Sequence, residues 1–261
     1  MQGARKLAGS LSQDAYQYLE SVINPDHWWK LDETTTQGPS YTAFDAVGGL
    51  NLTYTIGANP QPGMHDGRVD GAAYLYASAS TDYTISGGVP WATHLGAFSL
   101  AFTYQLTQSD TSSRSLIFAD DNESATKGEM TFIMNNTTGV VLCRFYTRNG
   151  SVKGTQLVFT CNTFVAVQGT IYDIVFAWAR SAGDATDAYF VINGVEYTCT
   201  LDVGTYTETE FYQPADFRIA RGDGSNDGPK VSRYDDVWTA SVKVPPAQAI
   251  TYHDKLVEME P

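Results

Sequence analysis

The sequence runs to 261 residues, 43% of them apolar, 17% charged and 13% aromatic, which is enough to bury a full core without help from metal or disulfide. Twenty-nine acidic against sixteen basic residues give a formal charge of −13, which repels phosphate backbones and anionic lipid faces and argues against a nucleic-acid partner. No run approaches the roughly 18 unbroken apolar residues of a membrane span, and the stretch after Met1 lacks the apolar core of a secretory signal. Cys143, Cys161 and Cys199 are too few for a disulfide scaffold and too far apart for a thiolate metal site, so they read as buried small hydrophobes.

In chain order, residues 1–11 read as an arm. An amphipathic helix is predicted over 12–24, where Ala15, Tyr18, Leu19, Val22 and Ile23 recur at helical spacing. Ser10 or Ser12 can cap its start, and Asn24-Pro25 stops it. From Trp28 onward the period changes to two, in short runs rich in Tyr, Thr, Val and Phe separated by Gly, Asn and Asp. Strands are predicted over 28–31, 51–56, 73–77, 82–86, 97–106, 115–119, 130–134, 140–147, 156–161, 171–180, 189–192, 196–201, 217–220 and 235–244. So many short strands in one domain imply two stacked sheets. In the strand over 97–106, Phe98, Leu100, Phe102 and Tyr104 face the core, and the opposite side is expected to be wetter. Asn193-Gly194 marks a two-residue hairpin, Asn149-Gly150 a second reversal, and a closing helix is predicted from Ala247 to about residue 257 after Pro245-Pro246.

Several stretches together carry a family pattern: Tyr18-Leu-Glu-Ser-Val22, Pro25, Trp28-Trp-Lys-Leu-Asp-Glu33, Asp45-Ala-Val-Gly48, Gly71-Ala-Ala-Tyr-Leu75, Tyr189-Phe-Val-Ile-Asn-Gly194 and Tyr234-Asp-Asp-Val-Trp238. In this order, over about residues 16–257, the sequence resembles laminin-G-like, concanavalin-A-type jelly-roll domains. It departs from them where Ile171-Tyr172 stands in place of a Trp often found in the strand before the Asn-Gly hairpin. The resemblance implies an all-β, two-sheet antiparallel sandwich with short helices at both ends; residues 27–261 are expected to form the jelly roll, and residues 1–26, on the virion reading below, an attachment segment. Sugar-binding modules, adhesion domains, enzyme appendages and bacteriophage structural proteins share this fold, which does not fix function.

Glycosidases need two carboxylates at set separation, and the nearest match, Glu208-Thr-Glu210, lies in a loop-like stretch without a third acid. His27, His65, His94 and His253 are scattered, with no nucleophile context around them. No phosphate-cradling glycine motif is present. The protein is therefore expected not to be an enzyme. Asp223-Gly-Ser-Asn-Asp227-Gly resembles half of a calcium loop but has Tyr234 where the distal Glu belongs, and it reads first as a solvated turn. From the family, Asp45 and Asp235 are rim candidates, so one Ca²⁺ could be held by some of Asp45, Asp223, Asp227 and Asp235. Trp91, in Gly-Gly-Val-Pro-Trp-Ala, is the one Trp in a loop-like context and the expected exposed ligand contact, whereas Trp28, Trp29, Trp178 and Trp238 are expected to pack the sandwich.

A recognition-type fold without a visible export signal leads to one expectation, a bacteriophage virion protein on the head, fibre or tail. Its N-terminal arm would dock onto other virion proteins or sister subunits while the sandwich contacts a host-surface glycan. The alternative is a carbohydrate-binding or adhesion module of an extracellular protein.

Overall fold

The computed structural model describes residues 15–32, 41–55, 61–66, 71–75, 77–78, 81–82, 84–87, 90–91, 96–106, 113–117, 130–135, 140–149, 152–161, 164, 167, 169–202, 205–212, 217–219 and 232–259. They form two large antiparallel sheets packed as a sandwich, a separate two-stranded ladder of Ala77–Ser78 with Thr81–Asp82, and a short helix near each end. The first sheet runs Val195–Thr198, Ala188–Ile192, Ile171–Ala179, Ala97–Leu106, Ser232–Ala240, Gly71–Leu75 and Gln61–Asp66, with His27–Trp29 also paired to Ser232–Ala240. The second runs Thr200–Leu201, Val152–Cys161, Val140–Asn149, Met130–Asn135, Ser113–Ile117, Phe217–Ile219, Thr84–Gly87, Leu52–Thr55 and Tyr41–Ala43.

The main core lies between the sheets and is largely aromatic. Phe98, Phe102, Phe132, Phe145, Phe159, Phe176 and Phe190 belong to it, with Trp29 and Trp178. Many of their rings meet edge-on, such as Phe98 against Phe145 at 82° and Phe102 against Phe132 at 88°, a geometry worth about 0.5–1.5 kcal/mol per pair beyond burial. Period-two patterning explains this: Val141, Cys143 and Phe145 are buried while Leu142, Arg144 and Tyr146 between them are not. Cys143 and Cys161 fill this core as free thiols, and Cys199 is half-buried.

The expected wetter face of Ala97–Leu106 is instead buried, with Ser99, Ala101 and Thr103 all at 5% exposure or less. A second core covers it. The opening helix (residues 15–23) contributes Ala15, Leu19 and Ile23, spaced four apart, and the closing helix (Pro246–Glu258) contributes Ala249, Tyr252 and Leu256. Both pack on the first sheet around Trp28 and Trp238. The opening helix widens to a π turn over Leu19–Ile23 and ends where Asn24, at φ 51°, donates its N–H to Leu19 O. Residues 1–14 of the expected attachment segment lie outside the described residues, and the rest of that helix belongs to the body of the fold.

The Asn193-Gly194 hairpin forms as expected, both residues at positive φ, which matches the right-handed twist of its strands. Only glycine suits the second position: a Cβ at Gly194 would lie 2.6 Å from His253 Cδ2 on the closing helix. Asn149 pairs with Val152 across the second reversal.

Candidate functional site

The residues singled out from the sequence do not converge on one site. Trp91 is 3% exposed and stands among Phe98, Phe211 and Phe217 at 5.6–5.8 Å, so the expected surface contact is a core residue. Its loop-like sequence context misled because a large apolar ring gains more from burial than from solvent, whatever the turn residues beside it in the sequence. Asp223 and Asp227 lie outside the described residues.

Asp45 is a structural hub. Its Oδ1 accepts the backbone N–H groups of Trp28, Val47 and Gly48, each at 3.0 Å, and its Oδ2 accepts from Leu50 N at 2.8 Å and faces His27 Nδ1 at 2.6 Å. Burial works to raise this carboxyl, but the His27 bond and the amides outweigh it and hold it below the usual range. Asp235 sits on the first sheet beneath the helices, accepting Asp236 N–H at 2.9 Å. Among the described residues, no three His, Cys, Asp or Glu side chains gather into a metal-holding group.

A coherent polar surface does exist, on the face of the second sheet turned away from the core. Alternation along Val140–Asn149 puts Arg144, Tyr146 and Arg148 on that face in steps of about 7 Å. Gln156 stands opposite Tyr146 on the next strand and donates from Nε2 to its hydroxyl at 2.8 Å. On the other side, residues 210–212 run alongside the end of this strand. Arg148 N–H donates to Glu210 O, Tyr212 N–H donates to Tyr146 O, and Thr147 bridges to Phe211. Since paired residues share a face, Phe211 turns into the core with Thr147, and Glu210 and Tyr212 turn outward. Glu210 Oε2 then accepts Arg148 Nη1 at 2.9 Å. The result is two planar guanidinium groups, two phenols, a carboxamide and a paired carboxylate on a rigid strand platform.

Of the two glutamates at this end of the sheet, Glu210 is paired with Arg148 and Glu208 is hydrogen-bonded. Glu208 accepts Thr155 Oγ1 at 3.1 Å and Thr207 N–H at 3.1 Å. Burial would raise its carboxyl, but these bonds and its own amide hold it below the usual range, whereas a general acid near neutral pH needs the opposite shift.

Two further carboxylates have no local signature in the sequence. Asp187 gathers the N–H groups of Ser181, Ala182 and Gly183, the Ser181 hydroxyl and, at 2.5 Å, the Tyr206 hydroxyl, which itself accepts Trp178 Nε1–H. Burial is outweighed by these bonds, and Asp187 is held at about 2. Asp236 lies on a bulge of Ser232–Ala240 at φ 46°, its Oδ1 accepting Trp28 Nε1–H at 3.1 Å and its Oδ2 buried with no partner. Burial raises it to about 7, against the Trp28 bond and with the nearby charge of Asp173 adding to the rise. Asp173 itself accepts Thr103 Oγ1–H at 2.8 Å and faces His253 Nδ1 at 2.6 Å, tying the closing helix to the sheet.

The fold is that of a two-sheet antiparallel β-sandwich, and its likenesses among solved structures agree. Over 96% of its length the chain superposes on Trypanosoma rangeli sialidase in complex with 2,3-difluoro-KDN, with a TM-score of 0.58 and 9% identity. Over 88% it superposes on the receptor-binding domain of botulinum neurotoxin type G, with a TM-score of 0.53 and 10% identity. Over 87% it superposes on domain 4 of AbnA, a GH43 extracellular arabinanase from Geobacillus stearothermophilus, in complex with arabinotriose, with a TM-score of 0.53 and 13% identity. The chain spans 39% of the sialidase and 51% of the toxin domain, but 97% of the arabinanase domain. At these identities the likeness is one of fold. No family profile matches the sequence, and no curated protein matches it.

Proposed function

We propose that the protein is a non-catalytic glycan-recognition module whose binding platform is the outward row Arg144, Tyr146 and Arg148 with Gln156 and Tyr212. The observation that carries this reading is the row itself, which interleaves planar donors with an aromatic ring on a face the core does not use. A phenol ring offers a flat surface to sugar C–H groups, and guanidinium and amide donors hold ring hydroxyls at fixed directions. The domain of AbnA that this chain matches almost end to end was solved in complex with arabinotriose, which supports a saccharide ligand. The anionic state of Glu208 and the pairing of Glu210 favour binding without turnover. None of the neighbours named here is a virion component, and the recognition reading holds whether a particle or a cell displays the module.

A glycan array that includes arabino-oligosaccharides and sialylated glycans, followed by calorimetry on the best hit, tests this. Tyr146→Ala is expected to weaken binding about tenfold, and Arg144→Ala by a similar factor, with the fold intact by circular dichroism. An array without hits, or affinity untouched by both changes, overturns the platform. Release of reducing ends from a bound glycan overturns the non-catalytic part alone.

A further inference from the structure

A second site lies on the other side of the molecule, at the free edge of the first sheet. Tyr189 and Thr198 pair across Ala188–Ile192 and Val195–Thr198, so with Glu196 they share the outward face there. The turn Ala185–Asp187 and the chain entering the closing helix rise beside that face and border a half-open pocket of about 300 Å³. That volume suits one small molecule. Its walls are mostly carbon: Ala185, Ala188, Pro246 and the Tyr189 ring, which is fixed because its hydroxyl donates to Val244 O.

Two charges of opposite sign line this space. Lys243 Nζ donates to Thr186 O at 3.3 Å and stands 5.8 Å from the Tyr189 ring centroid, leaving two ammonium hydrogens unused. Glu196 is exposed and, among the described residues, makes no hydrogen bond or ion pair. Lys243 and Glu196 share the pocket, yet no ion pair joins them. Cys199, also in the wall, is no nucleophile, because burial, with Cys161 adding to it, pushes its thiol up to about 12.

We infer that this pocket binds a small aliphatic zwitterion of amino-acid size, its carboxylate on Lys243, its ammonium on Glu196 and its apolar body against Tyr189, Ala188 and Pro246. A pocket with one charge of each sign and largely carbon walls is complemented by a ligand of the same make-up. A neutral sugar would leave both charges without a counter-ion, and a singly charged ligand would leave one. The inference is independent of the glycan reading, since the pocket and the Arg144–Tyr146 row lie on different sheets.

Calorimetry at low salt with L-leucine, leucinamide and 4-methylpentanoate tests it. L-leucine is expected to bind, and each analogue, lacking one charge, to bind at least about tenfold more weakly. Lys243→Met should erase the preference for leucine over leucinamide, and Glu196→Gln the preference over 4-methylpentanoate. Glu196 is exposed and Lys243 half-buried, and neither belongs to a core, so the variants should melt close to the unliganded parent, and Tyr146→Ala should leave leucine binding unchanged. The inference is overturned if leucine gives no heat up to about 10 mM, a Kd beyond which recognition is negligible. It is also overturned if the two analogues bind as well as leucine, or if the two variants keep the parental preferences.

Discussion

Replacing Asp236 by Asn should make the protein more stable, and the gain should grow with pH. The carboxyl is buried at a bulge, has one oxygen without a partner, and is raised to about 7 from an ordinary 3.8. Because the folded state holds this proton more tightly than the unfolded chain, the contribution of Asp236 to wild-type stability is greatest below pH 4. It falls as pH rises from there to about 7, then levels off. Three pH units at about 1.4 kcal/mol each put the full loss on the order of 4 kcal/mol. Asparagine does not ionise, keeps an oxygen for Trp28 Nε1–H, and tolerates the positive φ of this bulge. Urea unfolding followed by tryptophan fluorescence should therefore show the two proteins close together near pH 4.5 and the variant ahead by several kcal/mol at pH 8. A stability difference that stays constant between those pH values would refute the reasoning, because it would mean that the carboxyl keeps its ordinary affinity for the proton in the fold.

Asp187 should show the opposite dependence: held at about 2, it contributes stability that is present above pH 4 and is lost as pH falls toward 2. Asp187→Asn should thus lower stability by about 2 kcal/mol at pH 7 and by little near pH 2, read from acid titrations of the two proteins. Trp91→Ala should cost about 3–5 kcal/mol in urea unfolding through the cavity left among Phe98, Phe211 and Phe217, while a surface Trp would cost almost nothing. EDTA is expected to leave the Asp45 loop in place, because four backbone N–H groups and His27 already occupy both oxygens of that carboxylate. A melting temperature that drops on chelation and recovers with Ca²⁺ would contradict this.

The strands were legible because their signal is local. Each of the fourteen period-two runs overlaps an observed strand, and Asn193-Gly194 and Pro245-Pro246 mark the hairpin and the closing helix as their backbone preferences dictate. Gln61–Asp66 escaped because Pro62 and Gly63 argue against a strand, and Tyr41–Ala43 because three residues carry too little pattern. The burial of Ser99 and Thr103 could not be read from their own strand, since it depends on helices at either end of the chain. The candidate site was harder for the same reason. Arg144, Tyr146 and Arg148 share a face by simple alternation, but Gln156, Glu210 and Tyr212 join them only through pairing across the sheet. Asp187 and Asp236 likewise collect partners such as Tyr206 and Trp28 from distant stretches, where no spacing rule reaches.

Both helices lie on the first sheet, and the Arg144–Tyr146 row looks out from the second, so the sandwich has a back and a front. A tether attached through either helix would be anchored at the back. Copies mounted side by side on any scaffold can then all present the same surface outward, and weak contacts made by each one multiply without any change in the contacts themselves.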